Sequence, residues 1–148
     1  MPESKIPRVQ YKIPATHTGG KVIQVRVREL DYILVGAVSD KGYKLFHSDH
    51  LKNLLTQLGI ENIPTFLDGA GYECPVQKTD DYELIGAGSC FYTSSEQHIF
   101  SGRSGSYQIE LDKSSLLSLV RFFPRGIKVT FGEDNNAEEL GIGEGVIE

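Results

Sequence analysis

No apolar run in this 148-residue chain approaches the roughly 18 residues that a membrane-spanning helix needs, so no membrane segment is expected. The opening Met1-Pro2-Glu3-Ser4-Lys5-Ile6-Pro7 has no apolar core of the secretory-signal kind. Cysteine is scarce. Cys74 and Cys90 stand alone, without a CxxC or a framework of spaced pairs, which predicts two free thiols in a reducing, cytoplasmic compartment. Metal-ligand spacing is missing too: His47 and His50 flank Ser48 and Asp49 but have no further ligand at a suitable distance, so neither metal nor cofactor is expected. There is no GxSxG elbow for a serine hydrolase. Gly86-Ala87-Gly88 lacks the long helix that would follow a dinucleotide fingerprint, and reads instead as a bulge or a close backbone approach.

An excess of basic residues is also absent. The formal charge is −5, from 15 Lys and Arg against 20 Asp and Glu. Residues 132–148 carry six of those acids (Glu133, Asp134, Glu138, Glu139, Glu144, Glu148) and no base. The remaining body is nearly neutral, which excludes a broad nucleic-acid-binding face.

What is present suits one domain with a single core. Residues 1–20 contain Pro2, Pro7 and Pro14 and read as an extended arm. In Lys21–Arg28, Ile23, Val25 and Val27 alternate with Gln24, Arg26 and Arg28, which predicts a strand. Residues 32–38 form a more continuously apolar strand, Ser39–Gly42 a turn, and Tyr43–Phe46 extended chain. Ser48 or Asp49 is expected to cap a helix whose Leu51, Leu54, Leu55 and Leu58 make an apolar stripe, ended by Gly59. Short strands are expected at 64–67 and 72–76, a longer one at 82–92, and further extended segments at 98–100 and 107–111. A second helix starts near Asp112–Ser114, carries Leu116, Leu119, Val120 and Phe123, and stops at Pro124. Ile127–Phe131 closes the pattern, and 132–148 reads as an acidic C-terminal tail. The predicted class is α+β: a mixed or mostly antiparallel sheet of about six strands flanked by two helices.

Two stretches carry chemistry. After the apolar run ending at Phe100 come Ser101-Gly102-Arg103-Ser104-Gly105-Ser106-Tyr107. Glycines here let several N–H groups converge on an anion, and Arg103 adds a fork of charged donors. The same residues also suit a plain hairpin turn with a solvent-facing arginine. His47 stands where extended chain meets a helix start, a place that favours neutral imidazole and welcomes an anion. It either acts as nucleophile or base there, or merely packs.

Together these pieces resemble the janus family of protein phosphohistidine phosphatases over roughly residues 21–131. Lys21 begins the lysine-led strand. Phe46-His47-Ser48-Asp49 is similar to the family's Tyr-His-Ala-Asp context, and Leu84-Ile85-Gly86-Ala87-Gly88 to its glycine-rich strand. Gly102-Arg103-Ser104-Gly105-Ser106-Tyr107 resembles its phosphate loop, and Phe123-Pro124 with Val129-Thr130-Phe131 its closing elements. Three departures stand out. The family's phosphate-binding arginine falls on Gly88, its histidine after the loop falls near Asp112, and segment 59–82 is longer here.

The resemblance implies a metal-independent hydrolase acting on phosphorylated protein. His47 would be nucleophile or general base, Lys21, Gly102, Arg103, Ser104, Gly105 and Ser106 would hold the phosphoryl group, and no cofactor would be needed. The alternative is a catalytically inactive janus-like binding or assembly subunit that meets a protein partner through its terminal extensions. A profilin- or longin-like scaffold fits the order of elements in 32–58 equally well and would have no anion site.

Overall fold

In this computed structural model the described residues are 8–12, 19–37, 47–94, 97–104, 107–132 and 137–146. Eleven strands occur among them: β1 Val9–Lys12, β2 Gly19–Val27, β3 Leu30–Ala37, β4 Thr65–Leu67, β5 Glu73–Pro75, β6 Tyr82–Ser94, β7 Gln97–Ser101, β8 Arg103–Ser104, β9 Ile109–Glu110, β10 Lys128–Phe131 and β11 Glu138–Ile142. Helix α1 is His47–Gln57, and helix α2, Lys113–Leu119, runs into a 3-10 turn at Val120–Phe122. Seven strands form one sheet in the order β1-β3-β2-β6-β7-β10-β11, while β4–β5 and β8–β9 make two small ladders. The sheet is mixed: β1 runs parallel to β3 and β7 parallel to β10, and the other neighbours are antiparallel.

The α+β class and the two helices follow the sequence pattern. What that pattern hid is that the central strands are buried on both faces. Ile23, Val25, Val27, Tyr32, Leu34 and Leu84 pack beneath Leu51, Leu54 and Leu55 of α1. Their neighbours Val22, Ile33 and Val35 join Cys90 and Phe100 under Leu116 and Leu119 of α2. Because side chains alternate along a strand, the two helices cover opposite faces. Double-sided burial explains why β3 reads as a continuous apolar run.

Both segments assigned to terminal extensions contain sheet strands. Arg8 precedes β1 and accepts from the Ile33 N–H at 2.7 Å, and its guanidinium lies 5.1 Å from the centre of the Phe122 ring. Gly19 and Gly20 already belong to β2. At the other end, β11 pairs with β10, and residues 143–145 continue along 121–127 through Gly143 N to Ile127 O (2.8 Å) and Gly145 N to Phe123 O (2.8 Å). Acidic composition reflects the solvent side of this edge strand, where Lys113 meets Glu138 and Lys128 meets Glu139. Composition alone could not register that backbone pairing.

The N-terminal boundary of α1 also differs from expectation. Ser48 and Asp49 lie inside the helix rather than at its cap; Asp49 sits in the first turn, where its charge complements the helix dipole. Asp112 does cap α2, its carboxylate accepting from Ser114 N. The expected turn at 39–42 and extended chain at 43–46 fall outside the described residues.

Candidate functional site

The site forms where the first turn of α1 meets the sheet beyond its apolar core. Lys21 on β2 stands opposite Ser89 on β6, and Ser89 stands opposite Ser101 on β7. Facing residues of antiparallel strands share a side of the sheet. Lys21 alternates with Val22, which points towards α2, so Lys21, Ser89 and Ser101 form a polar row on the α1 side. All three are half-buried.

His47 opens α1 and is 5% exposed. Its Nε2 lies 2.7 Å from the carbonyl oxygen of Gly88, one residue past the end of the β6–β7 ladder. A carbonyl can only accept, so Nε2 carries the proton and, in the neutral ring, Nδ1 keeps its lone pair. Burial lowers the His47 pKa from its ordinary value, the Gly88 bond opposes this, and the charge of Lys21 lowers it further. The charge of Lys21 therefore reaches the His47 ring. The first turn of α1 adds backbone N–H groups that lack intrahelical acceptors.

Gly88 must be glycine here. A Cβ would stand 2.6 Å from Leu111 Cγ and 2.6 Å from the Ser101 carbonyl oxygen. The same geometry shows why Gly88 could not host an arginine directed at the site: its missing side chain would point towards α2. Ser89 is the residue whose side faces Lys21. Ser89 and Ser101 were not singled out from the sequence, because only strand register puts them beside Lys21.

The loop after β7 divides. Gly102 has φ +89°, a left-handed conformation that turns the chain out of β7. Ser104 is fully buried; its Oγ accepts from Tyr107 N at 3.2 Å and its carbonyl accepts from Gln108 N at 2.8 Å. Its place is inside the turn, closing it. Arg103 is exposed on β8 opposite Glu110, and Lys21 is the cation that shifts the His47 ring. Gly105 and Ser106 lie outside the described residues.

Behind His47 a second polar group anchors the β4–β5 hairpin. The Cys74 thiol donates to Tyr72 O at 3.6 Å and to Asp68 Oδ2 at 3.9 Å. Tyr107 OH donates to Pro75 O at 2.8 Å. Burial raises the Cys74 thiol, so it stays protonated and packs rather than reacts. His50 and His98 are both buried. Among the described residues, no group of three or more His, Cys, Asp or Glu side chains could hold a metal ion. No helix among them is long and apolar enough to cross a membrane. Compared with known proteins, the chain matches no family model and no curated sequence.

Proposed function

We propose that this protein is a metal-independent phosphohydrolase that removes the phosphoryl group from phosphohistidine in proteins, with His47 as nucleophile. The observation that carries the reading is the bond from His47 Nε2 to Gly88, which leaves Nδ1 as a base-form nitrogen in a ring that feels the charge of Lys21. In the first step the Nδ1 lone pair forms a bond to phosphorus while the nitrogen–phosphorus bond of the substrate breaks. The leaving imidazole takes a proton from water. A second water then attacks phospho-His47, releasing inorganic phosphate and restoring the ring. Lys21, the hydroxyls of Ser89 and Ser101, and the N–H groups at the start of α1 are the donors for the phosphoryl oxygens. Arg103 is kept for the approach of the phosphorylated chain, as an exposed cation on the rim.

The second reading is a phosphate-binding subunit without turnover. What favours it is the uncharged pair Ser89 and Ser101 beside a single lysine, where the related family places an arginine as well. One experiment separates the two. Wild type and His47→Ala are incubated with a phosphohistidine peptide and quenched in alkali, which preserves phosphohistidine. The phosphohydrolase gives release of phosphate and a phosphorylated protein intermediate, with a loss of about 1,000-fold or more in the variant. Full activity in His47→Ala overturns the assignment. Phosphate binding with no turnover in wild type selects the binding subunit.

A further inference from the structure

A groove of about 460 Å³ lies on the other side of α1, between that helix and the β4–β5 hairpin. This is within the range of sites that take ligands. Its apolar surface comes from Ile60, Ile63 and Pro75, and its charged groups are Glu61, Glu73 and Lys52. The Glu73 carboxylate is held in place, because Thr65 Oγ1 donates to its Oε1 at 2.7 Å. Two carboxylates against one ammonium, over an apolar floor, suit a side chain with a methylene stem and a cationic head. A free phosphate or an acidic peptide would be repelled.

We infer that this groove receives a lysine or arginine side chain of the phosphorylated polypeptide, and so selects substrates with a basic residue near the phosphohistidine. The identity of the occupant rests on the phosphohydrolase reading; the preference for a cation rests on the groove alone. Helix α1 connects the two places. Lys52 and Thr56 follow His47 by five and nine residues, about 7.5 and 13.5 Å along the axis. An extended chain covers about 3.3 Å per residue, so the basic residue falls about two to four positions from the phosphorylated one. The hairpin wall is tied to the body by the hydrogen bond from Tyr107 OH to Pro75 O and by Cys74, which is buried in one cluster with Leu51 and Leu54 of α1.

The test is amide NMR on the whole protein with two separate probes. One probe is inorganic phosphate; the other is an unphosphorylated peptide carrying one arginine, compared with the same peptide carrying uncharged citrulline. The arginine peptide is expected to shift the amides of residues 60–63, 65 and 73. Replacement by citrulline, or the double change Glu61→Gln with Glu73→Gln, is expected to weaken binding at least about tenfold. Both glutamines keep the wall polar, and the side-chain amide oxygen introduced by Glu73→Gln can still accept from Thr65. Equal binding of the two peptides, or no shift at the groove, overturns the inference. Phosphate shifts at His47, Ser89 and Ser101 report separately on the phosphohydrolase site. Their absence beside a peptide response would sink that reading and leave the groove as a site for basic peptides.

Discussion

The side-chain amide of Gln24 exchanges two hydrogen bonds with the backbone of Asp112. Its Nε2 donates to the Asp112 carbonyl at 2.8 Å, and the Asp112 N–H donates to its Oε1 at 2.6 Å. A fully buried glutamine thus behaves like a short piece of strand, joining the middle of β2 to the residue that caps α2. Lys21 lies on the same strand three residues away, so the bond also fixes one wall of the site.

Gln24→Ala leaves two backbone groups of Asp112 without these bonds. The expected loss is about 2–4 kcal/mol, read from urea unfolding. Gln24→Glu keeps an acceptor but loses the donor, and should not restore stability. Wild-type stability in Gln24→Ala would show that water replaces the amide.

Gly88→Ala forces a methyl group against Leu111 and the Ser101 carbonyl. Destabilisation of about 1–3 kcal/mol is expected, with a displaced Gly88 carbonyl and a changed His47 ring resonance. An unchanged His47 spectrum would mean that the Gly88 bond does not hold the ring.

Lys21 depresses the His47 pKa, so Lys21→Met is expected to raise it. Histidine NMR titration reads this without any substrate. In activity profiles the acid limb, which marks protonation of Nδ1, should move to higher pH in the variant. A fall or no change in the His47 pKa would separate the two residues.

Burial lowers His98 from the ordinary value of 6.5 to about 4. The unfolded chain then binds a proton that the folded chain refuses. Stability from this group is complete above about pH 6.5, falls as pH drops towards about 4, and changes by about 3 kcal/mol in all. His47, also depressed, adds a loss of the same sign below the ordinary histidine value. His98→Asn should flatten the dependence of unfolding free energy on pH across this window. An undiminished slope would place its origin elsewhere.

Removal of residues 138–148 strips the partner strand from β10 and the backbone bonds to 121–127. A loss of about 3–5 kcal/mol is expected by thermal or urea unfolding. Native stability in the truncated protein would return these residues to the role of an independent tail.

Local pattern determined the elements of this protein. The leucine stripe of 51–58, the Asp112 cap and the alternation of 21–28 each depend on neighbours within a few residues, and each became the expected helix or strand. His47 was legible as a candidate for the same reason, since a helix start is a local feature, whereas Lys21 entered only through the resemblance to the janus family. Tertiary structure decided which residues stand together. Ser89 and Ser101 join Lys21 only because β2, β6 and β7 adopt one register among several, and a shift of one strand by one residue would turn its member of the row to the other face. Ser104, read as a phosphate donor, is buried closing a turn, and Arg103 is left exposed on β8. The acidic end became an edge strand because unpaired backbone on β10 found hydrogen bonds there, a long-range gain that composition does not record.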